Sequence, residues 1–204
     1  MPPTFRRTRV SPSQTHAAPE QTQDEAPGIA DEINYDGAAF GTEVHACWEE
    51  IGWLHDCMPH WIHMPGTDAQ RIVAAALQQP DIAALFTQQA MQQVYNEQGI
   101  EAINTKNEWV SGTIDRLVLM HDDTGRVQAA HIIDFKTNKL GSSDAAAYHA
   151  LKHEYIGQMT AYRGLISLAF ELPLSSVSVS LISCPKGFPA KVLPYTDSDW
   201  LGQC

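Results

Sequence analysis

Residues 112–139, GTIDRLVLMHDDTGRVQAAHIIDFKTNK, constrain this chain more than any other stretch. Two runs of branched and apolar residues flank Asp122-Asp123-Thr124-Gly125 and read as the arms of a β-hairpin. With the turn centred on Thr124–Gly125, Asp123 faces Arg126 and Asp115 lies directly across from Asp134. Opposed residues have Cβ atoms about 4.5–5.5 Å apart, where two ionised carboxylates repel unless a cation sits between them. A divalent metal is the natural occupant. Strand alternation puts Lys136 on the face of Asp134, and Ile133 and Phe135 on the other, towards apolar packing. Two carboxylates and an ammonium suit phosphodiester hydrolysis: a metal on hard oxygen ligands polarises the phosphoryl group and acidifies water, while lysine steadies the attacking hydroxide. The bland alternative is an exposed hairpin in which Asp134 pairs with Lys136 and Asp115 with adjacent Arg116. The apolar context of Ile132, Ile133 and Phe135 weighs against it.

The rest of the chain fits one α/β domain. Residues 1–30 are rich in Pro, Gln, Thr and Ala without periodicity and are expected to be disordered, leaving 31–204 as the domain. Gly41–Leu54 carries Val44, Trp48, Ile51 and Leu54 at helical spacing, and shorter helical stretches follow at 69–79 and 81–88. Gln92–Glu97, Trp109–Met120 and Ala129–Thr137 read as strands. Asp144–Phe170 reads as a long helix with Leu151, Tyr155, Met159, Tyr162, Ile166 and Phe170 on one face, Val177–Cys184 as a strand, and Lys191–Tyr195 as a last hairpin strand. The order is helix, three strands, helix, strand. No stretch has the roughly 18–20 apolar residues of a membrane span, and the start lacks a signal-peptide core, so neither membrane nor export is expected. Four scattered cysteines, Cys47, Cys57, Cys184 and Cys204, suggest reduced thiols in a cytoplasmic protein.

At this point the motifs GTEVH (41–45), GTIDR (112–116), IIDFKT (132–137) and YIGQMTAY (155–162), in this order, resemble the PD-(D/E)XK nuclease superfamily. Within it they resemble the RecB-like nuclease domain at the C-terminus of AddA and RecB helicase–nucleases, over about residues 38–196. The resemblance implies a restriction-endonuclease-like αβββαβ core, a small mixed sheet flanked by helices. It implies that His45, Asp115, Asp134 and the Phe135 backbone carbonyl bind Mg2+, with Mn2+ an alternative suited to the imidazole. It makes Lys136 the catalytic lysine and gives Gln158 and Tyr162 a part in positioning DNA, while Glu97 falls loosely where relatives carry a glutamate. The iron–sulfur cluster of some relatives is not expected, because Cys184 and Cys204 stand apart. No phosphate loop for ATP occurs, so ATP-driven unwinding is not expected of this chain.

The function expected is a metal-dependent deoxyribonuclease, an exonuclease acting on DNA ends in repair or recombination. A net charge of -11, from 13 basic and 24 acidic residues, is the difficulty. Candidates for a basic groove are few: Arg116, Lys136, Lys139, Lys152, Arg163, Lys186 and Lys191. Weak intrinsic DNA affinity follows, tolerable if a helicase subunit in trans delivers the strand. The alternative class is a catalytically weak DNA-end or partner-binding module, and a third is a hydrolase of RNA or nucleotides. His55, Cys57, His60 and His63 are zinc-binding types at a spacing matching no zinc pattern, and read as polar surface.

Overall fold

The computed structural model describes residues 9–10, 30–56, 58–103 and 109–201. A two-residue strand, β1 (Arg9–Val10), precedes helix α1 (Ala30–Glu49), which is followed by α2 (Asp68–Ala76) and α3 (Pro80–Leu85). The chain then runs through β2 (Gln92–Ile103), β3 (Trp109–His121) and β4 (Val127–Lys136), crosses back along α4 (Ala145–Ala169), and ends in β5 (Val177–Ser183), β6 (Lys191–Pro194) and α5 (Asp197–Leu201). Five strands lie in the order β2-β3-β4-β5-β6. All neighbours among them are antiparallel except β4 and β5, which the α4 crossover makes parallel. The result is an α/β fold with an open mixed sheet flanked by helices.

Local chemistry accounts for the helix starts. Thr67 and Gln70 form a reciprocal capping box on α2, Pro80 opens α3, and the Asp144 carboxylate accepts from the Ala147 N–H at 2.9 Å to cap α4. The first helix begins at Ala30 and stops at Glu49, earlier at both ends than the periodicity of 41–54 suggests. The first long strand runs six residues past the expected Glu97. The tail expected to be disordered, 1–30, lies outside the described residues apart from Ala30, which opens α1, and the short β1. Contrary to expectation, Arg9 and Val10 pair in parallel with Trp109 and Val110 of β3.

Both faces of the sheet are covered, so β4 carries consecutive apolar residues: Ile132 and Ile133 are both fully buried. On the α4 face, Ile132 packs with Leu117, Met159, Tyr162 and Ile166. On the other, Ile133 and Phe135 pack with Val44, Trp48 and Phe86 from the helical start of the domain. There Trp48 stacks between Phe86 and Phe135, with ring centroids 5.0 and 4.9 Å away. No helix among the described residues is long and apolar enough to cross a membrane.

The central hairpin has the expected register beside the site, reached by a different turn. Arg116 pairs with Ile133 and Met120 with Ala129, which places Asp115 and Asp134 at the next opposed position. At the tip, however, Asp122 rather than Asp123 faces Arg126, its N–H donating to the Arg126 carbonyl at 2.9 Å. Gly125 sits at φ +83°, the left-handed conformation that closes a three-residue loop, and a bulge between Met120 and His121 restores the register.

Candidate functional site

The site forms where β3 and β4 part. Ladder pairing ends at Arg116–Ile133, and the Asp115 Oδ2 takes over as acceptor for the Phe135 N–H, at 2.7 Å. A strand residue presents its N–H and C=O to the same edge, so the Phe135 carbonyl also faces β3, beside Asp115. From α1, His45 brings Nδ1 to 3.5 Å from Asp115 Oδ2. Gly41, one turn earlier, lets α1 pass close to the end of β4: a Cβ there would lie 2.9 Å from Thr137 Oγ1.

Glu97, the loosest of the sequence candidates, is drawn fully into this group. It occupies the β2 position opposite Asp115, between the pairs Asn96–Arg116 and Gln98–Ile114, with φ at +49°. A left-handed non-glycine residue inside a strand is strained, and such strain concentrates at functional positions. Ligand atoms of His45, Glu97 and Asp115 all lie within 4.8 Å of one another. Burial, then the charges of Asp115 and Glu49, raise the Glu97 carboxyl above its ordinary range. Hard carboxylate oxygens with one imidazole fit a divalent cation such as Mg2+ or Mn2+.

Asp134 and Lys136 occupy the α4 side. Asp134 is 2 % exposed, and burial followed by the charge of Asp115 pushes its carboxyl up to about 6. Lys136 Nζ stands 2.6 Å from Asp134 Oδ2. Burial alone would lower the Lys136 pKa, but Asp134 outweighs it and holds the ammonium above its usual value. His45 is likewise raised: desolvation pulls it down, and the hydrogen bond and charge of Asp115 more than compensate. The ammonium also contacts Gln158 Oε1 at 3.4 Å and lies 4.1 Å from the Tyr155 ring centroid. Gln158 donates from Nε2 to the Tyr162 hydroxyl at 3.2 Å, which donates to the Thr113 carbonyl at 2.8 Å. Gly112 makes room for that ring, since a Cβ would come within 2.8 Å of Tyr162 Cε1.

Asp134, Lys136, Gln158 and Tyr162 line an open cleft of about 710 Å3 whose opposite wall is Gly99–Glu101 and Ser111–Thr113. Asp115 borders both this cleft and a second hollow lined by Gly41, Thr42, His45, Glu49 and Glu97. The expected metal set thus divides: His45 and Asp115 cluster with Glu97, while Asp134 is ion-paired to Lys136 next door.

The expected basic groove is corrected, and the Asp115–Arg116 pair of the bland alternative does not form. Arg116 neither pairs with Asp115 nor contributes to a groove, because it is fully buried on the opposite side of the sheet. Lys152 is tied to Asp199 at 2.9 Å, and Arg163 donates to the carbonyls of Val177 and Leu174. Lys186 lies near Asp68, Lys191 sits over Tyr148, and Lys139 is exposed. Among the described residues, the one metal-capable group of three is His45, Glu97 and Asp115. His55 pairs with Asp56 at 3.6 Å, and Cys57 lies outside the described residues. Tyr155 escapes the sequence reading as a site residue, although it lies one turn before Gln158 on the same helix.

No protein-family model matches the chain, and no curated protein sequence matches it either.

Proposed function

We propose that this chain is a metal-dependent nuclease of the PD-(D/E)XK superfamily, RecB-like in its motifs, with a restriction-endonuclease-like core, hydrolysing phosphodiester bonds of DNA at strand ends. The observation that carries this reading is the meeting of His45, Glu97 and Asp115 with the Asp134–Lys136 pair where β3 and β4 separate, at an open cleft. A structural salt bridge explains Asp134 and Lys136 alone; it does not explain a strained glutamate and a histidine converging on a second carboxylate.

His45, Glu97, Asp115 and the Phe135 carbonyl would hold the cation, with Asp134 contributing from the cleft side. A divalent ion bound there supplies a Lewis acid for the phosphoryl oxygens and lowers the pKa of water. The residues of the chain do the rest. Phe135 N–H fixes the Asp115 carboxylate through one of its oxygens, so that it would be oriented to help hold the cation. Lys136, held by Asp134, Gln158 and the Tyr155 face, lines the cleft, where its ammonium would orient the nucleophile and offset charge developing on the phosphate. Tyr162 braces Gln158 against β3 and keeps the α4 wall at its distance.

The engagement of most basic side chains elsewhere favours a second reading, in which substrate capture depends on a partner such as a helicase in trans, or the domain only binds DNA ends. Digestion of end-labelled single- and double-stranded linear DNA, with Mg2+, Mn2+ or chelator, separates the readings. Metal-dependent degradation by wild type and none by Asp134→Asn is the expected result. Silence from folded wild type under every condition overturns the autonomous nuclease and leaves the binding module.

A further inference from the structure

Arg116 is a buried cation for which the proposed chemistry has no use. It is fully buried, and among the described residues no carboxylate pairs with it. Taking a guanidinium out of water is costly, and an apolar side chain of similar volume would fill the same space. Burial draws its pKa down to about 10, so it keeps its charge at neutral pH. Something must require it there.

Its contacts converge on the segment that leaves α1. Nη1 donates to the Ile51 carbonyl at 3.0 Å and to Asn96 Oδ1 at 3.2 Å, and Nη2 donates to the Gly52 carbonyl at 2.8 Å. The guanidinium also lies over the rings of Phe86 and Trp53, at 4.2 and 5.0 Å. Asn96, directly opposite on β2, donates from Nδ2 to the carbonyls of Glu49 and Ile51 at 2.8 and 3.0 Å. Helix α1 has no basic residue in its last turn; Arg116 brings positive charge to the two residues just beyond that turn, and Asn96 supplies the donor to the Glu49 carbonyl of the helix itself.

The chain neighbours of this pair belong to the metal-capable group. Glu97 follows Asn96 and Asp115 precedes Arg116, and these two side chains point to His45. His45 itself lies one turn before the gripped end of α1. The same two strands therefore hold the helix on one side and collect its histidine with their carboxylates on the other.

We propose that Arg116 and Asn96 are positioning residues, a clamp that fixes α1 against β2 and β3 so that His45 meets Glu97 and Asp115, and thereby sets the cation affinity of the site. This rests on the metal-dependent reading above. The clamp acts through the helix and touches neither cation nor substrate.

Titration calorimetry of the full chain with MnCl2 tests it, using wild type, Arg116→Met, Arg116→Lys and Asn96→Ala, each shown to be folded by circular dichroism. Arg116→Met and Asn96→Ala should weaken Mn2+ binding on the order of 10–100-fold, the range seen when supports of metal ligands are removed. Saturating Mn2+ should restore their kcat, because Lys136 and Asp134 lie on the other side of the sheet. Arg116→Lys should recover only part of the affinity, since one ammonium lacks the fork that spans both carbonyls. If Arg116→Met does not fold, half-buried Asn96→Ala carries the same comparison. Wild-type Mn2+ affinity in folded variants overturns the clamp, as does lost turnover that excess Mn2+ leaves unrestored. Wild type that binds no Mn2+ overturns both clamp and metal site, whereas wild type that binds Mn2+ but cuts no DNA removes only the nuclease reading.

Discussion

Replacing Asp134 by asparagine tests the electrostatics of the site apart from its catalysis. The Asp134 carboxyl is pushed from 3.8 up to about 6 by burial and then by Asp115, against the opposing pull of Lys136 and His45. A carboxyl whose folded pKa exceeds its unfolded value holds its proton more tightly in the native state. Stability therefore falls as pH rises from about 4 to about 6, and the full cost is present above that window. The interval corresponds to about 3 kcal/mol. The side-chain amide of the Asp134→Asn variant is neutral throughout, so metal-free wild type should lose about 2.5 kcal/mol relative to that variant between pH 4 and pH 7. The variant also leaves the Lys136 ammonium, 14 % exposed, without its anion, so the informative quantity is the change in the difference with pH. Urea unfolding of both proteins in chelator at a series of pH values measures it. A difference that stays flat, or that moves in favour of wild type with rising pH, would mean that Lys136 keeps Asp134 ionised at low pH and that burial does not dominate.

Three further outcomes follow from particular contacts. Lys136→Ala should lower kcat by about 10²–10³-fold, the usual cost of one charged donor at a reacting centre, with Mn2+ affinity little changed; equal loss of both would make Lys136 structural. Tyr155→Leu removes the ring 4.1 Å from Lys136 Nζ and should cost about tenfold in kcat with KM preserved, whereas Tyr155→Phe keeps the aromatic face and most of the rate; equal effects of the two substitutions would sink the cation–π role. Gly112→Ala should displace Tyr162, break its bond to the Thr113 carbonyl and destabilise the fold by about 1–3 kcal/mol in thermal or urea unfolding, and an unchanged transition would refute the close approach.

The central hairpin shows how far local pattern reaches. Alternation of apolar and polar residues and the turn-forming Asp-Thr-Gly segment locate the hairpin, but the turn itself is displaced by one residue from its expected place, which alone would have shifted Asp115 away from Asp134. The bulge at Met120–His121 offsets that displacement, and nothing in the sequence marks it. The long helix over 145–169 and the β5–β6 pair are legible for the same reason: each is written in periodicity and caps within a few neighbouring residues.

Glu97 and Arg116 mark the limit of such reading. Local pattern ends the strand at Glu97; the chain instead stays in β2 to Ile103 with a left-handed kink at that residue, imposed by its place opposite Asp115 and beside α1. Arg116 reads as a partner for its neighbour or a contact for phosphate, and is the buried strut of a helix end 64 and 65 residues earlier. The order of elements and the alternation that puts Asp134 and Lys136 on one strand face are written locally, because backbone geometry repeats over two to four residues. Which carboxylate joins His45, which cations stay free and what holds α1 in place emerge only once the chain is folded, because those outcomes depend on burial and on carbonyls brought from far along the chain.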